Sequence, residues 1–319
     1  MELPEALRAA VDEALEGVAL ADLQRAGAAL STRYRAETRD GRFHIGDDLA
    51  AKAYLAARLP ATFAAIAAAM TRLAEVHEGF APRTQIDVGS GPGSALWAAM
   101  EQWPSLVAAE LVEGSGAIRA WGERLSQRLS IDVRWREADV TAGLPELKAA
   151  DLVTLAYVLD ELEPEQRTRL VDRLWALTQD TLLIVEPGTP AGWERILAVR
   201  RQLLAAGANM VAPCPHHLAC PLVPPDWCHF AQRVARSRMH RLSKGGDVPW
   251  EDEKFIYLAV SREPVERPSA RVIAPPQQAS GQVALKLCQA GGTAAVTRLS
   301  KRHGAEYKRA RRAEWGDAM

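Results

Sequence analysis

The sequence predicts an α/β protein built on a doubly wound, mostly parallel sheet. Two observations carry that expectation. Short β-like runs alternate with helical runs from Thr84 onward, and the first of them ends in a glycine-rich turn, Gly89-Ser90-Gly91-Pro92-Gly93. Strands alternating with helices imply a parallel sheet covered on both faces. The chain has 319 residues, enough for about two domains, and 48% hydrophobic with 25% charged residues suits a large core.

Residues 5–78 read as helices. Alanine and leucine dominate, and apolar residues recur at three- and four-residue steps, as in Phe63, Ile66, Met70 and Leu73. Pro60 breaks or starts a helix there. The period then changes to strands at 85–88, 105–112, 131–135, 151–156 and 181–185, separated by helices at 94–103, 117–129 and 164–177 and followed by one at 193–204. Residues 211–250 interrupt the rhythm with prolines, histidines and three cysteines. A strand resumes at 254–260, residues 262–280 form a proline-rich link, and 283–287 with 293–299 read as a hairpin around Gly291-Gly292. Four regions follow: an N-terminal helical region (1–80), a nucleotide-binding-type core (81–210), a cysteine-rich and basic insertion (211–250), and a last core strand with a small C-terminal β extension and basic tail (251–319).

The glycine turn is preceded by an acid, Asp87, and sits between a strand and a helix. Glycine lets the backbone turn sharply and lets a ligand approach without a Cβ in the way. The pattern differs from the dinucleotide G-x-G-x-x-G and resembles motif I of the class I methyltransferases, whose cofactor, S-adenosylmethionine, has no pyrophosphate. Asp87, Gly89, Gly91 and Gly93 are then the cofactor cradle. Glu113, at the end of the second strand, is placed to accept from both ribose hydroxyls. Asp139, after the third strand, is placed for the adenine amino group. The alternative is a tight turn with no ligand. After the fourth strand the chain reads Tyr157-Val158-Leu159-Asp160-Glu161-Leu162, without the Asn/Asp-Pro-Pro-Tyr turn of amine-methylating sites. Asp160 and Glu161 are candidate general bases, but the favoured reading is that they cap the following helix.

Four cysteines, Cys214, Cys220, Cys228 and Cys288, all lie in the last third of the chain. Their spacing is not the C-x2-C of common zinc ribbons, yet four thiolates suit zinc or an iron–sulfur cluster. Prolines follow Cys214 and Cys220, and His216, His217 and His229 stand nearby as substitute ligands. Unligated buried thiols, or a catalytic thiol at Pro213-Cys214, are the alternatives. Disulfides are not expected.

The formal net charge is −1, yet residues 286–319 hold eight Lys/Arg against three Asp/Glu. A basic end on an acidic body points to an anionic partner. A helix over about 227–244 would place Phe230, Val234, Ala235, Met239 and Leu242 inward and Arg233, Arg236, His240 and Lys244 along an acid-free outer stripe. With Lys308, Arg309, Arg311 and Arg312 it would form an RNA-binding surface.

Several segments together resemble one family: Pro213-Cys214-Pro215-His216 with Cys220-Pro221-Leu222, Trp227-Cys228-His229-Phe230, Arg236-Ser237-Arg238, Val185-Glu186-Pro187-Gly188-Thr189, and the ending Lys308-Arg309-Ala310-Arg311-Arg312 with Trp315-Gly316-Asp317. They are similar to the methyltransferase-like proteins of the small ribosomal subunit, a family that includes a mitochondrial small-subunit assembly factor and bacterial relatives. The resemblance covers roughly residues 50–317. It implies a class I methyltransferase fold, a [4Fe–4S] cluster on Cys214, Cys220, Cys228 and Cys288 in place of zinc, and a role at the small subunit and its 16S-type rRNA. Three functions remain open: an assembly factor that uses the fold for binding, an active rRNA methyltransferase, and a small-molecule or protein methyltransferase with structural zinc. With no apolar run of about 18 residues and no signal-peptide pattern at its start, the chain is expected to be a cytoplasmic monomer away from membranes.

Overall fold

The computed structural model describes residues 1–243 and 247–319. Four helices come first: α1 (Glu5–Ala14), α2 (Leu20–Arg35), α3 (Asp48–Ala57) and α4 (Leu59–Ala74). Asp47 caps α3 by accepting from the Ala50 amide. Pro60 lies in the first turn of α4, where its missing N–H is no loss, so it starts a helix and breaks none. The core follows as β1 (Thr84–Val88), α5 (Ser94–Gln102), β2 (Ala108–Val112), α6 (Gly116–Ser126), β3 (Asp132–Arg136), β4 (Ala150–Ala156), α7 (Pro164–Leu177), β5 (Thr178–Pro187), α8 (Pro190–Ala205) and β6 (Asn209–Ala212). Then come β7 (Phe230–Ala235), α9 (Arg238–Ser243), β8 (Trp250–Ser261), β9 (Ala270–Val272), β10 (Gln277–Ala279), β11 (Gln282–Gln289), β12 (Ala294–Ser300) and α10 (Gly304–Ala310).

The main sheet has the order β3-β2-β1-β4-β5-β8-β6, with β7 also on β8. Strands β1 to β5 pair in parallel, while β8 runs antiparallel to β5, β6 and β7. Five parallel strands wound both ways from β1, with one reversed strand slotted between the fifth and sixth, make the class I methyltransferase fold. Such central strands are buried on both faces and are largely apolar. Leu152, Val153, Leu155, Leu182 and Ile184 are accordingly sealed from solvent. Helix α4 buries residues around its whole girth because it packs on α5 as well as on β5, β7 and β8. Among the described residues no single helix is long and apolar enough to cross a membrane; α3 and α4 pass together by composition, but they are bent by 53°.

The expected helix at 227–244 does not form. Residues 230–235 are strand β7, paired residue for residue with Glu251, Asp252 and their neighbours on β8, and only α9 is helical. Phe230 and Val234 are the buried positions of β7. A spacing of four fits a helix turn, and it equally fits two alternate strand positions. The pattern was therefore ambiguous, and the free edge of β8 decided it. Lys244 lies outside the described residues.

A second, antiparallel sheet has the order β10-β11-β12 with β9 on β11. The expected hairpin is β11–β12, and the proline-rich link supplies β9 and β10. The basic tail is packed: Tyr307, Ala310 and Ala313 close a small core over Val272, Val283 and Leu285.

One close contact offers a test of the packing of α6 on β3. A Cβ on Gly122 would lie 2.2 Å from the Trp135 ring. That ring cannot swing away freely, because its Nε1 donates to Ser126 Oγ at 3.1 Å. Gly122→Ala is expected to lower the unfolding free energy by roughly 1–3 kcal/mol despite the better helix propensity of alanine, as read by urea denaturation.

Candidate functional site

Parallel strands in this topology end at one edge of the sheet, and the crevice there is the usual ligand site. A cavity of about 350 Å³ opens at that edge, within the size range of small-molecule sites. Gly89 and Gly91 form its floor, and the N-terminal region roofs it with Tyr34 from α2, Tyr54 from α3, and Phe43 and His44 from the loop between them. The glycine turn needs its glycines. Gly89, Gly91 and Gly93 have φ of 63°, 55° and 87°, a region that other residues rarely enter. A Cβ on Gly89 would strike Val158 at 2.4 Å, whereas one on Gly91 meets only the Tyr54 hydroxyl at 4.0 Å. A side chain at Gly91 would therefore grow into the cavity.

The other expected cofactor residues divide. Glu113 lines the cavity, with its two oxygens accepting from the amides of Gly91 (2.9 Å) and Ser115 (2.7 Å). Burial pushes its carboxyl up, and these donors pull it back. Asp87 does not reach the wall. It lies 2% exposed beneath the turn, accepting from Thr154 Oγ1 at 2.7 Å, and burial lifts it to about 7. Asp139 is turned outward onto the Thr141 amide (2.8 Å), and the wall beside it is Ala138 and Val140. Gly93 begins α5 behind the floor.

Asp160 and Glu161 do not cap α7, contrary to the favoured reading of the sequence. That cap is Glu163, which shares a capping box with Gln166. The intervening 3₁₀ turn instead places both carboxyls on the cavity wall. Burial raises both, Glu161 to about 8. Beside them Glu186, fully buried, accepts from the Leu159 amide and from Arg195, which also reaches Glu37 at 3.0 Å. Burial drives Glu186 to about 8 as well. Tyr34, Glu37, His44 and Tyr54 carry no local sign of a site, because they reach it only through the fold of the N-terminal helices over the sheet.

The four cysteines converge. Cys214, Cys220, Cys228 and Cys288 all line one small cavity with Trp193, Arg200, His216 and Tyr257. Strands β6 and β7 pair with successive stretches of β8, on the edge that β5 leaves free. Residues 213–229 are thus an excursion between two parts of one edge, and they carry three of the thiols. Cys288 arrives from β11. Burial raises Cys214 and Cys228, and lifts Cys288 to about 12, against the pull of Arg271 on all three. Of the expected substitute ligands only His216 touches a thiol, with Nε2 3.4 Å from Cys288 Sγ. His217 accepts from the Met210 amide, and His229 is packed between Trp227 and Trp315. Among the described residues no group of three or more His, Cys, Asp or Glu is placed to hold a metal ion.

The expected basic stripe is dismantled. Arg233 makes a two-pronged pair with Asp252, Arg236 pairs with Glu251, and His240 is buried 3.1 Å from Glu251. The acids come from β8, invisible to a pattern read along one segment. Lys308, Arg309, Arg311 and Arg312 stay exposed, joined by Arg298, Lys301 and Arg302, and none of these seven is ion-paired among the described residues.

Asp87 makes the buried charge under the turn measurable. Its folded value, about 7, lies above the ordinary 3.8. The stabilisation from its proton is full below pH 3.8 and is lost as the pH rises through about 7. Asp87→Asn is expected to match the wild type near pH 4 and to exceed it near pH 8 by on the order of 2–4 kcal/mol, by thermal or urea melts across that range. Parallel pH profiles for the two proteins would refute the assignment.

The family described as mitochondrial small ribosomal subunit Rsm22 matches residues 48–319. The human ribosome assembly protein METTL17, mitochondrial, is 30% identical over 288 residues, taking in 83% of this chain and 61% of that protein. The Rsm22-cox11 tandem protein 2, mitochondrial, of Schizosaccharomyces pombe is 24% identical over 318 residues, taking in 83% and 42%. The chain thus spans about three-fifths of the first relative's length and about two-fifths of the second's. An O-methyltransferase family protein from Burkholderia thailandensis aligns with a TM-score of 0.46 at 14% identity, over 77% of this chain and 71% of that one, a likeness that adds nothing to the argument from topology. The expected cytoplasmic placement does not stand, because the family and these relatives are described as mitochondrial. With a match running from α3 to its last residue, across the glycine turn, the four cysteines and the basic C-terminal helix, the chain belongs to the Rsm22 family of small-ribosomal-subunit proteins.

Proposed function

We propose that this chain is a small-ribosomal-subunit assembly factor that binds S-adenosylmethionine in the larger cavity, a [4Fe–4S] cluster on Cys214, Cys220, Cys228 and Cys288, and rRNA along its C-terminal surface. The observation that carries the reading is that the region shared with the family contains all three features. The cavity suits the cofactor in kind. Its floor has a glycine whose Cβ would project inward, and its wall carries both carboxyls (Glu37, Glu113, Glu253) and guanidiniums (Arg35, Arg58, Arg195), partners for the ammonium and the carboxylate of the cofactor's amino-acid end. Glu113 keeps lone pairs for ribose hydroxyls beyond the two amides it already accepts. Gly91→Arg is expected to abolish cofactor binding in calorimetry while the protein stays folded. Wild-type protein that takes up no cofactor at millimolar concentration would sink this part of the reading.

The cysteine cavity supplies the donor set of a four-thiolate group, because Cys214, Cys220, Cys228 and Cys288 all line it. A bound cluster would supply electron-transfer capacity or a structural staple, holding β11 to the excursion after β6.

The RNA surface is read from β12 and α10. Unpaired exposed cations retain their charge for phosphates, whereas Arg233 and Arg236 are already satisfied. Reversing Lys308, Arg309, Arg311 and Arg312 to Glu should weaken co-sedimentation with small subunits by tenfold or more at physiological salt and flatten its salt dependence. Unchanged binding at low and physiological salt would show that this face is only solvated.

A further inference from the structure

Two of the most deeply buried charges in the molecule have no visible counter-charge. Arg200, on α8, and Arg271, on β9, are 3% and 0% exposed. Arg200 donates through Nη2 to the carbonyls of His216 (2.9 Å) and Leu218 (2.7 Å). Arg271 donates to the carbonyls of Pro213 (3.0 Å) and Gly316 (2.9 Å). Neither meets an Asp or Glu among the described residues, and Arg200 Nε and Arg271 Nη2 have no hydrogen-bond partner there. The third buried arginine behaves differently: Arg195, one turn before Arg200 on α8, is met by both Glu186 and Glu37.

A guanidinium cannot shed its proton, so an unpaired one in the interior is costly. Both lie at the four-cysteine cavity. Arg200 lines it directly. Arg271 stands opposite Cys288 in the β9–β11 pairing and therefore on the same face of that sheet, and it grips the carbonyl just before Cys214. Neutral thiols offer no counter-charge. Four thiolates around a divalent metal core carry two net negative charges, the number that two guanidiniums neutralise, and a disulfide pair would carry none.

We propose that Arg200 and Arg271 are the built-in counter-ions of the four-thiolate metal group, and that Arg200 Nε and Arg271 Nη2 donate to its sulfurs. This rests on reading the cysteines as a metal site and assigns a task to residues outside the ligand set. Both arginines are positioning residues: they hold the excursion by its carbonyls and set the electrostatic environment of the group. Positive charge and hydrogen bonds at the sulfurs favour the more negative, reduced state.

The test uses full-length protein purified anaerobically, with iron, sulfide and zinc content, midpoint potential, and thermal unfolding measured before and after the metal is stripped by chelation. Wild-type protein that contains none of these metals overturns the metal reading itself. With metal present, Arg200→Met and Arg271→Met should lower the unfolding temperature of the loaded protein and raise that of the stripped one, because the buried cation is compensated only in the loaded state. If the group is an iron–sulfur cluster, each neutral variant should bias the couple against reduction about tenfold, a drop of about 59 mV for one electron. If it is zinc, the opposite thermal signs alone decide. Equal destabilisation of loaded and stripped forms, with an unmoved potential, overturns the proposal and leaves the arginines as carbonyl staples. Should a Met variant not fold, Arg271→Lys and Arg200→Lys carry the test. They keep the charge and should keep the metal, and loss of metal in a folded lysine variant refutes the counter-ion role.

Discussion

Strand β8 is the constraint on which the rest of the molecule depends. Its residues 255–261 are paired with β5 along one edge, and the other edge is divided between β6 and β7. A chain that leaves an edge after Ala212 and rejoins it at Phe230 must loop out over the gap. The gap is Ile256, Tyr257 and Leu258, and these residues line the cysteine cavity. The excursion is therefore fixed at both ends by backbone pairing in the sheet, which is why three thiols in an irregular segment can face a fourth from a different sheet. The lengthened start of β8 also brings Glu251 and Asp252 to Arg236 and Arg233, so one strand builds the cavity's wall and quenches the charge beside it.

Helix α8 joins the two cavities. Arg195 lines the larger one, while Trp193, Ile196, Leu197 and Arg200 line the smaller one. The turn before α8 is tied in as well, since Trp227 in the excursion donates to the Gly188 carbonyl at 3.1 Å, between the cavity residues Pro187 and Thr189. A Cβ on Gly188 would meet the β8 backbone at 2.7 Å, so this turn can approach β8 only as glycine. The two sites thus share a rigid partition. The two buried arginines of that helix have different surroundings: Arg195 meets carboxylates, and Arg200 lines the cavity of the thiols.

Buried carboxyls give the larger cavity its character. Asp160 and Glu161 line it, and behind it Glu186 meets Arg195; burial raises all three carboxyls. Two arginines hold the turn after β4: Arg167 donates to the Leu159 carbonyl, and Arg39 donates twice to the Asp160 carbonyl from the roof segment. The roof is thereby bound to the same turn that presents Asp160 and Glu161. Tyr157, with φ of 59°, starts that turn and reaches across to Glu253 on β8.

The alternation of strands and helices, the glycine turn and the C-terminal hairpin could be read along the chain, because each depends on the local period or on a backbone demand that glycine meets. Glu113 could be read too, since its place follows from strand order. The sequence also marked the four cysteines as one candidate metal site, and the fold brings all four to one cavity. Tertiary structure alone decided the rest. It made residues 230–235 a strand, because a four-residue spacing suits two secondary structures and only the vacant edge of β8 distinguishes them. It turned Asp139 outward and sank Asp87 beneath the turn, placements that no residue pattern encodes. It paired Arg233 and Arg236 with acids from another strand, and left Arg200 and Arg271 without any among the described residues. A charge's meaning lies in what surrounds it, and those surroundings come from residues far away along the chain.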